Sequence, residues 1–571
     1  MRAALRLAAL SVAIMGSLAI SIAGNTPASA AEPEFEPADC PVAPPSGVPE
    51  SAMECGYVTV PENRSKPDGT QVRLAVAIIK ASQEPVREPI LYLSGGPGGP
   101  SLQGEMYGFG AAPISAAFLD RDIIFYDQRG TGLSTPSLYC DEVEAFTLEV
   151  LKQGWSVEEA GDRYDQGLRA CRARLLDEGV DLAQYSSAIS ADDIADLMTA
   201  LGHDTFHLYG ISYGTRLALT VMRDHPERVT SAVIDSVLPP NVEGALADGQ
   251  TFTRSLNVLI DGCAADAECN AAYPDLEQTF WDLVASATAD PFEITINDVD
   301  GNPVQISVDG NAIVQGAFTA FYSTDVIPLL PFAAYEIAAG NTAILTALAQ
   351  QIVFAFSGTA VGMTTSVRCS EETPFYTEEK LAQALVGVRQ EIIDAGIGIT
   401  TPELLADSLA LCDDWGTLPP PAIENQPVVS DIPTLVFAGQ YDPVTPPEWG
   451  RLAAETLSTS YFFEFPATGH SVIGPHPACA TGIVNAFFDD PQTPPDGSCV
   501  AAIPPPDFQV PAAAPTPLPP VPTPTAGAGT IAPPDAGAGQ PRGDGVSALA
   551  LLTTGVCATA AVAFGLRRML A

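Results

Sequence analysis

Phe206-His207-Leu208-Tyr209-Gly210-Ile211-Ser212-Tyr213-Gly214 decides how the rest of the chain reads. A largely apolar run, Phe206 to Tyr209, opens into Gly-x-Ser-x-Gly. A helix-compatible stretch, Thr215 to His225, follows and stops at Pro226. Strand, sharp turn and helix in that order are the setting in which a serine is lifted clear of a sheet as a nucleophile. Gly210 and Gly214 supply the close backbone packing such a turn needs. The five-residue pattern also arises by chance, so the flanks and the partners elsewhere in the chain carry the reading.

A serine hydroxyl is a poor nucleophile at its own pKa and needs a base, which in turn needs an acid to orient it. In this setting the chain order is serine, acid, histidine. The chain has five histidines, and only His470 and His476 lie well beyond Ser212. His470 follows Gly469 after the expected strand Tyr461–Phe465, at the edge of the sheet, and is the expected base. His476 lies between Pro475 and Pro477 and is expected in a surface turn; His203 and His207 are expected to be structural. The acid belongs on the loop after the preceding strand, where Asp442 stands in Gly439-Gln440-Tyr441-Asp442-Pro443. Asp431 precedes that strand, at the wrong end. A tetrahedral oxyanion needs two preorganised N–H donors. Tyr213, next after the serine, is one. The other belongs to Ser94-Gly95-Gly96-Pro97-Gly98-Gly99-Pro100, where Gly96 is preferred and Gly95 second, since Pro97 has no N–H.

The charge narrows the partners. Of 571 residues, 69 are Asp or Glu against 25 Lys or Arg, for a net charge of -44. Such a surface repels nucleic acid and anionic lipid. Residues 1–30 read as a signal peptide: Arg2 and Arg6, an apolar run Leu7–Ala23, then Ala28-Ser29-Ala30 as a cleavage site. Export suits the cysteines. Leaving aside Cys557 in the C-terminal apolar segment, ten of the 11 form an even set. Sequential pairing is the working expectation: Cys40–Cys55, Cys140–Cys171, Cys263–Cys269, Cys369–Cys412 and Cys479–Cys499, although sequence does not fix connectivity. No C-x-x-C occurs, and no metal is expected.

Strands alternate with helical stretches through 31–245 and again through 426–503, which implies a mostly parallel, doubly wound sheet. Between them, 246–425 is Ala-rich and helical in period, with a hairpin-like interruption at Phe292–Val308 turning at Asp300-Gly301. It reads as an inserted cap domain. Residues 504–545 are Pro, Ala and Gly and read as a spacer. Residues 546–566 are uncharged and long enough for a transmembrane anchor, with 567–571 as a cytoplasmic tail in keeping with Arg567-Arg568. The expected location is the extracellular face of the cell membrane.

Gly95-Gly96-Pro97-Gly98-Gly99, Asp127-Gln128-Arg129-Gly130-x-Gly132, Gly210-x-Ser212-Tyr213-Gly214, Asp442-Pro443-Val444-Thr445-Pro446 and Gly469-His470-Ser471 together resemble the proline iminopeptidase/tripeptidyl aminopeptidase family of α/β-hydrolases, and most closely its secreted actinobacterial branch. The resemblance spans roughly Cys55 to Cys499. It implies an α/β-hydrolase fold and a serine exopeptidase that releases short N-terminal peptides with no cofactor. Ser94 replaces the histidine that precedes Gly-Gly-Pro-Gly in proline iminopeptidases, which argues against strict proline release. An exopeptidase must hold a free α-amino group, and Glu371 and Glu372, beside Cys369, are the candidate carboxylates. A carboxylesterase or lipase on the same three side chains stays open, because they serve amide and ester alike.

Overall fold

The computed structural model describes residues 33–511 apart from 110–114, 145, 299 and 354–357. The expected signal peptide, anchor and tail, and the spacer beyond residue 511, lie outside the described residues. Among those described, no helix is long and apolar enough to cross a membrane.

The strands, in chain order, are β1 Phe35–Ala38, β2 Met53–Pro61, β3 Gln71–Ile79, β4 Arg87–Leu93, β5 Arg121–Tyr126, β6 Phe206–Ile211, β7 Val229–Asp235, β8 Phe292–Asn297, β9 Pro303–Val308, β10 Thr434–Gly439 and β11 Ser460–Phe465. Nine of them form one sheet in the order β1-β2-β3-β5-β4-β6-β7-β10-β11. The first three pairings, through β3–β5, are antiparallel, and every pairing from β5–β4 to β10–β11 is parallel. This is the α/β-hydrolase fold expected from the sequence.

β5, β6 and β10 are buried along their whole length. That is why apolar runs such as Ile123–Tyr126 and Leu435–Ala438 fill them without alternation: helices cover both faces of a parallel sheet. Alternate residues divide between two cores. Leu91, Leu208, Ile234 and Val436 face one cluster. Tyr92, Tyr209, Val233 and Phe437 face the other, as a period of two requires. The N-terminal arm does more than its disulfide suggested. β1 pairs with β2, Ala38 opposite Cys55. Gly56 lets it approach, because a Cβ there would lie 2.4 Å from the Glu36 carbonyl oxygen.

Helical material fills the gap between β7 and β10. It begins at Gly244, where the helix Gly244–Ala265 starts, and it carries β8 and β9 as a separate antiparallel hairpin. It has a core of its own around Phe252, Phe280, Trp281 and Phe332. All five sequential cysteine pairs are bonded. The helix Ser187–Ala200 before β6 is capped by Ser186, whose hydroxyl accepts from the Ile189 N–H. One expectation changes. The start of the expected spacer is held down: Phe508 is buried in the cap core, and the Gln509 carbonyl accepts from the Tyr273 hydroxyl at 2.7 Å. The Gln509 N–H also donates to the Pro328 carbonyl at 3.0 Å, so an apolar anchor and two hydrogen bonds dock a segment whose composition reads as unstructured.

Candidate active site

β6 ends in a sharp turn at Ser212, whose backbone stands at φ 54°, ψ −126° before the helix Tyr213–Asp224 begins. A non-glycine residue in that region is strained, and neighbouring contacts must hold it there. The two glycines make the crowding possible. A Cβ on Gly214 would sit 2.1 Å from the Leu93 carbonyl oxygen, and one on Gly210 2.4 Å from that of Gly214. The Ser212 N–H is taken by the Asp235 carbonyl at 3.0 Å. The Ser212 hydroxyl makes no hydrogen bond with a described residue and faces a large cavity of about 2430 Å³, which Gly95, Gly96 and His470 also line.

His470 comes from the turn after β11. Its Nδ1 lies 2.8 Å from Asp442 Oδ2, and Asp442 is fully buried. The carboxylate is held from several sides. It accepts from the N–H groups of Val444 and Thr445 at 3.0 and 2.9 Å and from the Thr445 hydroxyl at 2.7 Å. Burial pushes the Asp442 carboxyl up, but the His470 charge and these hydrogen bonds outweigh it and hold its pKa below the ordinary value. Burial pulls His470 down, but Asp442 outweighs it, aided by Asp235 and Glu105, so its pKa stands above that of an ordinary imidazole. Asp235, at the end of β7, fixes the histidine turn by accepting from the Val472 N–H at 3.1 Å and from the Tyr209 hydroxyl at 2.9 Å. The Ser471 N–H bonds the neighbouring Ser236 hydroxyl at 2.9 Å. The other downstream histidine, His476, pairs with the Thr468 hydroxyl at 2.8 Å and braces the same turn. His207 is buried against Ser231, and burial takes its pKa down to about 3.

The N–H groups of Tyr213, Gly95 and Gly96 donate to no described residue. The Gly95 α-carbon is the one against the serine: a Cβ there would lie 3.0 Å from Ser212 Cβ and 3.5 Å from its Oγ. Gly96, at φ 119°, turns the loop over the Gly98 and Gly99 nitrogens. Asp127, from the Asp-Gln-Arg-Gly motif, holds that region together. Its carboxylate accepts from the N–H groups of Ser101, Leu102 and Leu133 at 2.7, 3.0 and 2.7 Å.

The structure separates Glu371 from Glu372. Glu371 is buried beneath the elbow, bonded to Arg216 Nε at 3.0 Å, to the Ser187 hydroxyl at 2.8 Å and to the Ser187 N–H. It does not line the cavity, and the expectation that it meets a substrate amine is corrected: the arginine buried in the elbow helix claims it. Glu372 lines the cavity, receives one hydrogen bond, from the Tyr376 hydroxyl at 3.2 Å, and lies 3.6 Å from Arg216 Nη1, an ion pair longer than that of Glu371. Three more charged groups in the cavity wall escaped the sequence reading. Glu105 bonds the Tyr92 hydroxyl at 3.0 Å. Asp248 accepts no side-chain hydrogen bond from a described residue, and burial raises its carboxyl to about 7. Arg368 also lines the wall. Only Asp235, at the end of an expected strand, had a signal that could have been followed.

With this geometry in view, comparisons with known proteins identify the chain's relatives. Residues 88–257 match the family model for the alpha/beta hydrolase fold, and residues 401–499 match that for TAP-like protein. Together these matches support an α/β-hydrolase serine peptidase similar to the tripeptidyl aminopeptidases. It is similar to the serine protease Hip1 of Mycobacterium tuberculosis, 24% identical over 79% of this chain and 88% of that one. Over a third of its length it is similar to the tripeptidyl aminopeptidase of Streptomyces coelicolor, 30% identical over 33% of this chain and 36% of that one. A proline iminopeptidase of Arabidopsis thaliana is 24% identical over 38% of this peptidase and 42% of its own length.

Proposed function

We propose that this peptidase is exported and hydrolyses peptide bonds near a free N-terminus through an acyl-enzyme. Ser212 Oγ attacks the scissile carbonyl carbon and passes its proton to His470 Nε2. Asp442 holds Nδ1–H and steadies the imidazolium. The developing oxyanion is received by the Tyr213 N–H and by the Gly95–Gly96 pair. The imidazolium then gives its proton to the leaving amine, and water releases the acyl group by the same steps in reverse. No cofactor takes part.

The observation that carries this reading is the shared cavity: Ser212, His470 and Glu372 open onto one space. The substrate's α-ammonium is held there by Glu372 and by Asp248, whose carboxylates keep acceptor capacity that no described residue uses. Five disulfides support passage through an oxidising compartment. Residues 1–30 act as the export signal and residues 546–566 as a surface anchor.

Mass spectrometry of products from paired peptides, one with a free N-terminus and one N-acetylated, tests the reading, with Ser212→Ala as control. Short N-terminal fragments are expected from the free peptide alone. Equal cleavage of both peptides overturns amine recognition. Faster turnover of simple acyl esters than of peptidyl anilides would favour an esterase instead.

A further inference from the structure

The helix Val361–Glu371 bears on specificity. Its N-terminal end rests on the oxyanion loop. The Ala360 N–H donates to the Gly98 carbonyl at 2.9 Å, and the Thr364 hydroxyl donates to the Pro97 carbonyl at 2.5 Å. Its other end is fixed by the Cys369–Cys412 bond, by Glu371 on Arg216 and by the Trp415 indole N–H on the Ser366 hydroxyl at 2.8 Å. Val361, Thr364, Arg368 and Glu372 all line the cavity. Spacings of three and four residues put them on one face as a single stripe.

That stripe is a scale laid along the substrate's path. At about 1.5 Å per residue, Arg368 lies about 6 Å beyond Thr364 and Glu372 about 12 Å beyond it. An extended peptide advances about 3.4 Å per residue. A chain with its scissile carbonyl at the oxyanion loop and its ammonium at Glu372 therefore passes Arg368 with its second residue, counted back from the scissile bond. Arg368 is exposed and lines the cavity, and its guanidinium forms no hydrogen bond with a described residue. Its neighbours Glu372 and Asp248 act on it only through space and keep it charged against the pull of burial. A guanidinium with five donors unused suits a carboxylate, which it binds through two parallel hydrogen bonds.

We propose that Arg368 selects peptides with an aspartate or glutamate at the second position on the acyl side of the scissile bond. The inference rests on the N-terminal peptidase reading and deepens it.

The test uses free-amine peptides with Asp, Leu or Lys at that position. Turnover by the active protein and calorimetric binding to Ser212→Ala are both measured. The Asp peptide is expected to exceed the Leu peptide by about tenfold in each measurement, with Lys weakest. Arg368→Gln should bring the Asp/Leu ratio close to one, and Arg368→Lys should restore part of it. An Asp/Leu ratio near one in the unmodified protein, or one that Arg368→Gln leaves unchanged, overturns the proposal. Binding separates the two readings. If Ser212→Ala binds the Asp peptide in an Arg368-dependent way while the active protein cleaves none of the peptides, the selectivity stands and the peptidase reading falls.

Discussion

The two sides of the cavity differ in how their charged groups are partnered. At the edge of the sheet, Asp442 accepts from His470, Thr445 and two backbone N–H groups, and Asp235 from Tyr209 and Val472. Across the cavity, Asp248 and Arg368 make no side-chain hydrogen bond with a described residue, and Glu372 receives one. A buried charge left without partners is costly, so a fold keeps such groups only where a cavity hydrates them or a ligand completes them. Saturated groups hold geometry for a chemical step; unsaturated ones await something that arrives. The contrast predicts that substitutions at the sheet edge change turnover, and that substitutions on the far wall change affinity and selectivity.

The largest effect belongs to the hydroxyl. Ser212→Ala should lower kcat for a peptidyl anilide by at least about 10⁴-fold, while the denaturation midpoint holds or rises, because alanine needs no solvation inside the elbow. A residual rate within tenfold of the unmodified protein would remove the serine from the chemistry. Next comes Asp442→Asn, with an expected loss of about 10⁴-fold in kcat and little change in KM. An amide there donates to Nδ1 and fixes the wrong tautomer. A KM effect without a kcat effect would move Asp442 to the binding side of the comparison.

The neighbours Glu371 and Glu372 sharpen the contrast within a single helix turn. Glu371→Gln removes the nearer of the two carboxylates paired with the buried Arg216 guanidinium, leaving only Glu372 at 3.6 Å, and leaves the Arg216 Nε and Ser187 hydrogen bonds without their ionised acceptor. It should cost about 3 kcal/mol of stability, measured by urea unfolding. Glu372→Gln, which loses only the longer 3.6 Å pairing with Arg216, should lower the urea midpoint less than Glu371→Gln does and raise KM for free-amine peptides by about 10- to 100-fold, with no effect on KM for N-acetylated ones. Exchanged outcomes would mean that the helix faces the cavity the other way round.

Much of the sheet was legible in the sequence, for reasons tied to particular residues. β5 and β10 carry apolar runs, Ile123–Tyr126 and Leu435–Ala438, and β6 is interrupted only by His207 before its elbow, so their order with the intervening helices pointed to the parallel half of the sheet. Ser212, Asp442 and His470 could be chosen because few histidines compete and because each stands just past a strand. The far wall was not legible. Asp248 lies within the helix Gly244–Ala265 and Arg368 within another, and nothing in their local sequence says which face meets a cavity. Glu371 and Glu372 are adjacent and chemically alike. Arg216, brought in from the elbow helix, lies beside both; only its Nε hydrogen bond and those of Ser187, all to Glu371, decide which of them is structural. Phe508 was hidden by its proline-rich surroundings.

The smallest effect tests whether a cavity carboxylate other than Asp442 and Asp235 reaches the base. His470 must be neutral to accept the serine proton, so kcat/KM should rise with pH through its pKa and fall below it. That pKa stands above the ordinary imidazole value, because Asp442, and with smaller effect Asp235 and Glu105, outweigh burial. The acid limb of the profile should therefore lie above pH 6.5, the ordinary histidine value. Glu105→Gln keeps a hydrogen-bonding partner for the Tyr92 hydroxyl and removes one negative charge near the imidazole. It should move the limb toward lower pH, with the plateau rate unchanged. A limb that stays in place would confine control of the base to the sheet edge, to Asp442 and Asp235. A limb that moves to higher pH would contradict the sign of the interaction and place Glu105 uncharged over the working range.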